Sequence, residues 1–227
     1  PLTIAAGFWL TDQSALADWI DRVFGPRKYY LISLVIVLYA LLPFFMAFEG
    51  RKPEVRELVV LATMIALATA GRAAFFMTPS FKPIIAIVII SAIAFGAEAG
   101  FLVGSMTMLV SNFLFGQGPW TPWQMFAMGF IGFLSGILYR LRILPTKRLQ
   151  LSVYGFLVTF MIYGGIMNPA ALFMSVYQFS WSGLLAIYIS GVPVDLVHAS
   201  STFLFLWIGA KPLLEKLQRI KVKYGLL

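Results

Sequence analysis

The residues best suited to chemistry lie in four places. The run Phe115-Gly116-Gln117-Gly118-Pro119-Trp120-Thr121-Pro122-Trp123-Gln124-Met125 holds two Trp, two Gln, two Pro and two Gly in eleven residues. Glycine permits tight backbone geometry and proline stiffens it. Trp120 and Trp123 could stack on a flat ligand while Gln117 and Gln124 supply amide hydrogen bonds. A membrane protein also places Trp at headgroup level for anchoring alone, so a ligand site and an aromatic belt both fit. Asn168-Pro169 ends one apolar stretch, and Tyr177, Gln178 and Trp181 follow before the next. That neutral, aromatic, amide-rich loop suits a cap over a pocket, and equally an interfacial connection. Asp195 and His198 stand three apart, on one face of a helix. Asp195 falls near mid-bilayer, where a carboxylate is costly and a functional candidate by default. A structural pair, with Asp195 accepting from His198 or from Arg72, is the simpler reading. Arg72, in Ala70-Gly71-Arg72-Ala73-Ala74, could snorkel to headgroups, pair with Asp195 or bind an anionic ligand group.

Several chemistries are excluded. With no Cys and one His, thiolate or multi-histidine metal sites, disulfides and a Cys nucleophile are impossible within the chain. No nucleophile accompanies Asp195 and His198, which leaves little case for catalysis. No Gly-x-x-x-x-Gly-Lys-Ser/Thr phosphate loop occurs, so any ATP is hydrolysed by another chain. The net charge of +8 could suggest nucleic acid, but no basic stretch is interleaved with stacking aromatics.

The elements that must position these residues follow from composition. Of 227 residues 60% are hydrophobic and 11% charged, against about 25% charged in a soluble domain. The solvent is therefore lipid, and the fold an all-α polytopic membrane helix bundle. Seven segments are predicted, over 29–48, 57–76, 84–95, 100–114, 122–139, 149–167 and 183–209. The third and fourth are short and meet at Gly96-Ala97-Glu98-Ala99, with Glu98 expected in a solvated turn. Residues 11–24 read as an interfacial helix ended by Gly25-Pro26, and 1–10 are apolar enough to be the tail of a further membrane helix.

Lys and Arg orient the chain. Arg51, Lys52, Arg56, Arg140, Arg142, Lys147, Arg148, Lys211, Lys216, Arg219, Lys221 and Lys223 fall on one side, cytoplasmic by the positive-inside rule. Arg22, Arg27, Lys28, Arg72 and Lys82 fall on the other. The chain is then expected in a cell membrane with its C-terminus on the cytoplasmic side and the neutral aromatic loops outside.

Ala62, Ala66 and Ala70 recur every fourth residue, giving a flat face where another helix can approach closely. Packing inside the bundle would use the same face. With this stripe, the Gly71-Arg72-Ala73-Ala74-Phe75-Phe76 stretch, Phe81-Lys82-Pro83, and the run from Phe101 through Ser111-Asn112-Phe113 to Gln124, the chain resembles a substrate-binding S component of the energy-coupling factor (ECF) vitamin transporters. The resemblance covers roughly Glu57 to the end. It implies a six-helix substrate-binding core over 57–227. Residues 1–56 depart from the pattern as an N-terminal extension with at least one extra membrane helix. It also implies no enzymatic activity and no cofactor of the chain's own. A vitamin-type ligand would be captured outside, among Arg72, Asn112, Gln117, Trp120, Trp123, Gln124, Asn168, Tyr177, Trp181, Asp195 and His198. Docking through Ala62, Ala66 and Ala70 onto a transmembrane coupling subunit would follow, with two cytoplasmic ATPase subunits powering release as the S component topples in the lipid. Cobalamin or a cobalamin precursor is the first ligand expected; pyridoxine, pantothenate and a queuosine-type base remain open. A membrane-embedded enzyme on lipid or isoprenoid substrates and a self-contained secondary carrier are the competing readings.

Overall fold

The computed structural model describes residues 28–175 and 179–225. The expected interfacial helix over 11–24, the apolar stretch 1–10, Tyr177 and Gln178 lie outside the described residues. The described chain is helical, in the order α1 Lys28–Gly50, α2 Val55–Ala74, α3 Ile84–Phe95, α4 Ala97–Phe115, α5 Thr121–Arg140, α6 Arg148–Val158, a π-turn Thr159–Tyr163, α7 Gly164–Ser175 and α8 Trp181–Tyr224. Six stretches are long and apolar enough to cross a membrane, with α6, the π-turn and α7 counted together as one. A helix satisfies most backbone polar groups within itself, as lipid requires.

The short helix α3 has a different role. Its 12 residues rise only about 18 Å, less than the roughly 30 Å hydrocarbon core. Every one of them is buried, so α3 is wrapped by protein rather than lipid. Gly96 separates it from α4 with φ +97°, a left-handed conformation that side-chain-bearing residues avoid. The break expected here is real, and it makes two helices.

Helices α4 and α5 form the tightest seam. A Cβ at Gly104 would stand 2.4 Å from the Met128 carbonyl oxygen, and one at Gly132 would stand 2.2 Å from that of Gly100. Only glycine allows the two backbones to come this close. Helix α1 lies across this pair. It buries Ser33, Val37, Leu41 and Phe48, a stripe at helical spacing. Phe44 stacks on Phe101 of α4 at 4.1 Å and meets Phe133 of α5 edge-on at 4.8 Å.

Three sequence expectations are corrected here. Asn168-Pro169 does not end a helix, for α7 continues to Ser175 with Pro169 inside it. Proline offers no N–H to the Gly165 carbonyl, and the Tyr188 hydroxyl donates to that carbonyl instead, at 2.9 Å. The last helix does not stop at residue 209 but runs on through its basic stretch to Tyr224, where Gly225 caps it in the left-handed region. Lys221 and Lys223 in its last turn oppose the negative end of the helix dipole, and Lys221 Nζ donates to the Ala94 carbonyl at the end of α3. Finally, Glu98 is not simply solvated. It opens α4 and faces Arg51 at 3.5 Å, while Arg51 also bonds Glu57 of α2 at 2.9 Å. This ion cluster ties the α1–α2 turn to the start of α4.

Candidate functional site

The other end of the bundle carries the polar side chains. Arg72 stands in the last turn of α2, half-buried. Its Nη1 donates to Ser111 Oγ and to Asn112 Oδ1, both at 2.6 Å, and its guanidinium lies 5.3 Å from the centroid of the Phe115 ring. All these partners are neutral. The ion pairs among the described residues belong to Arg51, so Arg72 has no carboxylate partner there. Its Nη2 and Nε donors make no protein hydrogen bond among the described residues.

Asn112 is fully buried and joins α4 to α5. Its Nδ2 donates to Thr121 Oγ1 at 2.9 Å and to Gln124 Oε1 at 2.8 Å. Thr121 Oγ1 donates in turn to Gln117 Oε1 at 2.8 Å, and Gln117 Nε2 closes the loop onto the Leu109 carbonyl at 3.3 Å. The Gly-Gln-Gly-Pro-Trp turn is thus held by amide and hydroxyl bonds running back to Arg72. Such a connected network fixes side-chain orientation more firmly than isolated pairs do.

The cluster extends across the bundle to Tyr163, which stands beside Gln124. Tyr163 is the last residue of the π-turn and lies between α5 and α8. Its ring meets the buried His198 imidazole edge-on at 4.7 Å. Further along α8, Asp195 Oδ2 accepts from Asn168 Nδ2 at 2.8 Å. The two expected alternatives, Asp195 with His198 or with Arg72, are therefore not what forms. Asn168 outcompetes them because glycines let α7 and α8 close together at this level. A Cβ on Gly164 would stand 2.6 Å from Asp195 Oδ2, and one on Gly191 would stand 2.4 Å from Asn168 Oδ1.

The tryptophans part company. Trp123 is buried and packs its ring 6.3 Å from Phe173, with its Nε1 donor unpartnered among the described residues. It is a wall of the bundle rather than an open stacking platform. Trp120 caps α5, is 39% exposed, and folds its ring over Gly118. Trp181 begins α8, is 78% exposed, and touches Phe179 edge-on at 5.1 Å, away from the Arg72 network. Tyr163 and Ser111 are members that reasoning on the sequence did not single out, although Ser111 immediately precedes Asn112. Lys82, in the loop after α2, has its ammonium pKa lowered by burial and then by the nearby Arg72 charge.

Ala62, Ala66 and Ala70 are all exposed on α2, together with Val59, Thr63 and Leu67. The buried face of α2 is instead made by Leu61, Met64, Ala68 and Thr69. The alanine stripe is thus not used for packing among the described residues.

Fold and site define a polytopic helical membrane protein with a connected polar cluster set inside its bundle. The family model described as ECF-type riboflavin transporter, S component, matches residues 52–219, which is 168 of the 227 residues. The chain belongs to this family, and so is a substrate-binding subunit of a membrane transporter and not an enzyme. No curated protein and no solved structure gives a match.

Proposed function

We propose that the chain captures a vitamin-type ring compound at the Arg72 network. It then docks through Ala62, Ala66 and Ala70 on a transmembrane coupling subunit served by two cytoplasmic ATPases. The observation that carries the reading is the half-buried Arg72 guanidinium, held by neutral partners with donors to spare. A cation kept partly out of water without a carboxylate is costly unless a ligand supplies acceptors. The Gln117 and Gln124 amides belong to the same network and border this guanidinium through Asn112 and Thr121. The Lys and Arg partition supports an outward-facing Arg72 end and a cytoplasmic C-terminus. The exposed alanine stripe supports docking by close helix approach.

Two ligands have support. Riboflavin follows from the family's description, and cobalamin or a precursor is the ligand first expected from the sequence resemblance. The test is equilibrium binding of each to the purified full chain, read by riboflavin fluorescence and cobalamin absorbance after removal of free ligand. Saturable binding of either, lost in Arg72→Gln, is the expected result. Binding that survives Arg72→Gln unchanged would move the site elsewhere, and no binding of either vitamin would remove both ligand assignments.

A further inference from the structure

Helices α6 and α8 leave a shallow, open cleft of about 350 Å³ between them, lined by Val153, Phe156, Ser200 and Phe203. It lies on the flank of two membrane-crossing stretches. Its walls are apolar apart from the Ser200 hydroxyl. One end of the cleft is different. Phe203 stacks on Trp207, one turn further along α8, at 5.8 Å. The Arg148 guanidinium, at the start of α6, lies 4.5 Å from the centroid of the Trp207 ring, and its Nε donates to the Trp207 carbonyl oxygen. Those contacts clamp the side chain in place but leave both Nη groups without a protein hydrogen bond among the described residues. Lys211 follows Trp207 by four residues, on the same helix face. Arg148 and Lys211 are both exposed, and neither is ion-paired among the described residues.

An apolar channel ending in a tryptophan and two unpaired cations has the polarity profile of one phospholipid molecule. We infer that the α6–α8 cleft is a binding site for an anionic phospholipid, with an acyl chain along Val153, Phe156 and Phe203 and the phosphate on Arg148 and Lys211. The apolar part selects nothing, because the surrounding lipid is equally apolar. Choice of headgroup therefore rests on the two cations, each contributing about five-fold toward an anionic lipid at the membrane surface. Trp207 sets the depth, as interfacial tryptophans do. The site is independent of the Arg72 network and of the proposed vitamin ligand.

The test uses the full chain in mild detergent, with phosphatidylglycerol and phosphatidylcholine of identical acyl chains added in competition and bound lipid counted by native mass spectrometry. One phosphatidylglycerol is expected to be retained preferentially. Arg148→Gln and Lys211→Gln should each reduce the preference about five-fold, while Arg56→Gln, an exposed cation on α2, leaves it unchanged. Ser200→Phe, which fills the cleft without touching the cations, should reduce retention of both lipids. Equal retention of the two lipids by the unmodified chain overturns the inference. So does a loss in Arg56→Gln matching that in Arg148→Gln, because the preference would then reflect overall charge and not this cleft.

Discussion

Asn112 is where the network is most exposed to attack, and two substitutions there separate its roles. Asn112→Leu keeps the branched outline of the side chain, at a larger volume, but removes one of the two acceptors of Arg72 Nη1 and the donor to Gln124 Oε1. A hydrogen bond to a charged group contributes about 2 kcal/mol, and an abandoned buried acceptor costs about 1–2 kcal/mol. Thr121 Oγ1 loses its bond from Asn112 but still receives the Gly118 N–H at 3.4 Å, so its share is small. The expected loss is therefore about 3–4 kcal/mol, measured as unfolding free energy in mixed micelles titrated with a denaturing detergent. Ser111→Ala removes the other acceptor of Arg72 alone and should cost about half as much. Asn112→Asp behaves differently. The carboxylate still accepts from Arg72, Thr121 can turn its hydroxyl toward it, and the Gln124 amide can flip to donate. Stability should stay within about 1 kcal/mol of the unmodified chain, since one set of bonds replaces another. The new carboxylate, however, satisfies the guanidinium that the ligand is proposed to satisfy. Ligand affinity should then fall at least about ten-fold, which is 1.4 kcal/mol of competition. If Asn112→Asp binds vitamin as tightly as the unmodified chain, Arg72 is a structural cation and the proposed site is wrong. If Asn112→Leu unfolds no more easily, the network does not hold this end of the bundle together.

Other outcomes follow from the same contacts. Ala66→Leu puts a branched side chain on the exposed α2 stripe; complex yield with the coupling subunit should collapse while ligand binding by the isolated chain is retained. Gly132→Val drives a side chain into the Gly100 carbonyl at the α4–α5 seam; a loss of about 3 kcal/mol is expected from the same detergent titration. Tyr188→Phe strips the Gly165 carbonyl of the donor that α8 supplies and should cost about 1–2 kcal/mol, whereas a neutral result would mean that Pro169 needs no such compensation. Trp120→Ala leaves Gly118 uncovered and should weaken vitamin binding with little effect on unfolding.

Much of the fold is legible in hydropathy because lipid punishes any polar interruption. The segment over 84–95 and the break at Gly96 coincide with α3 and its hinge. The failures share a cause: they depend on what a neighbouring helix supplies. Asn168-Pro169 reads as a stop, and only the approach of Tyr188 from α8 makes a continuous helix tolerable. Glu98 reads as solvated until Arg51, 47 residues earlier, is folded against it. Within the site, Arg72, Gln117 and Gln124 are legible from residue type and Asn112 from the resemblance, and the four do come together. Tyr163 is not, because nothing in Thr-Phe-Met-Ile-Tyr announces a π-turn. Trp181 misleads in the opposite direction: its type suits a ligand site, yet it sits exposed at the start of α8. The close approach of α4 and α5 was carried by glycines at Gly100, Gly104, Gly132 and Gly136, a spacing as regular as that of the alanines on α2.

The extra helix bears directly on docking. The family match begins at Lys52, so α1 lies wholly before it. An added membrane helix could have covered the alanine stripe and abolished the docking face. It does not, because its own aromatic residues direct it elsewhere: Phe44 and Phe45 both pack on Phe101, and Phe44 also reaches Phe133. The short 51–54 connection then returns the chain to α2 with Arg51 bonded to Glu57 and Glu98, which fixes the turn at the far end from Arg72. With α1 seated on α4 and α5, the stripe of Ala62, Ala66 and Ala70 stays uncovered among the described residues. The same placement argues that α1 moves with the core as one body. Stacked rings and a three-residue ion cluster join them, so a device that tilts the core in the membrane would carry α1 along with it.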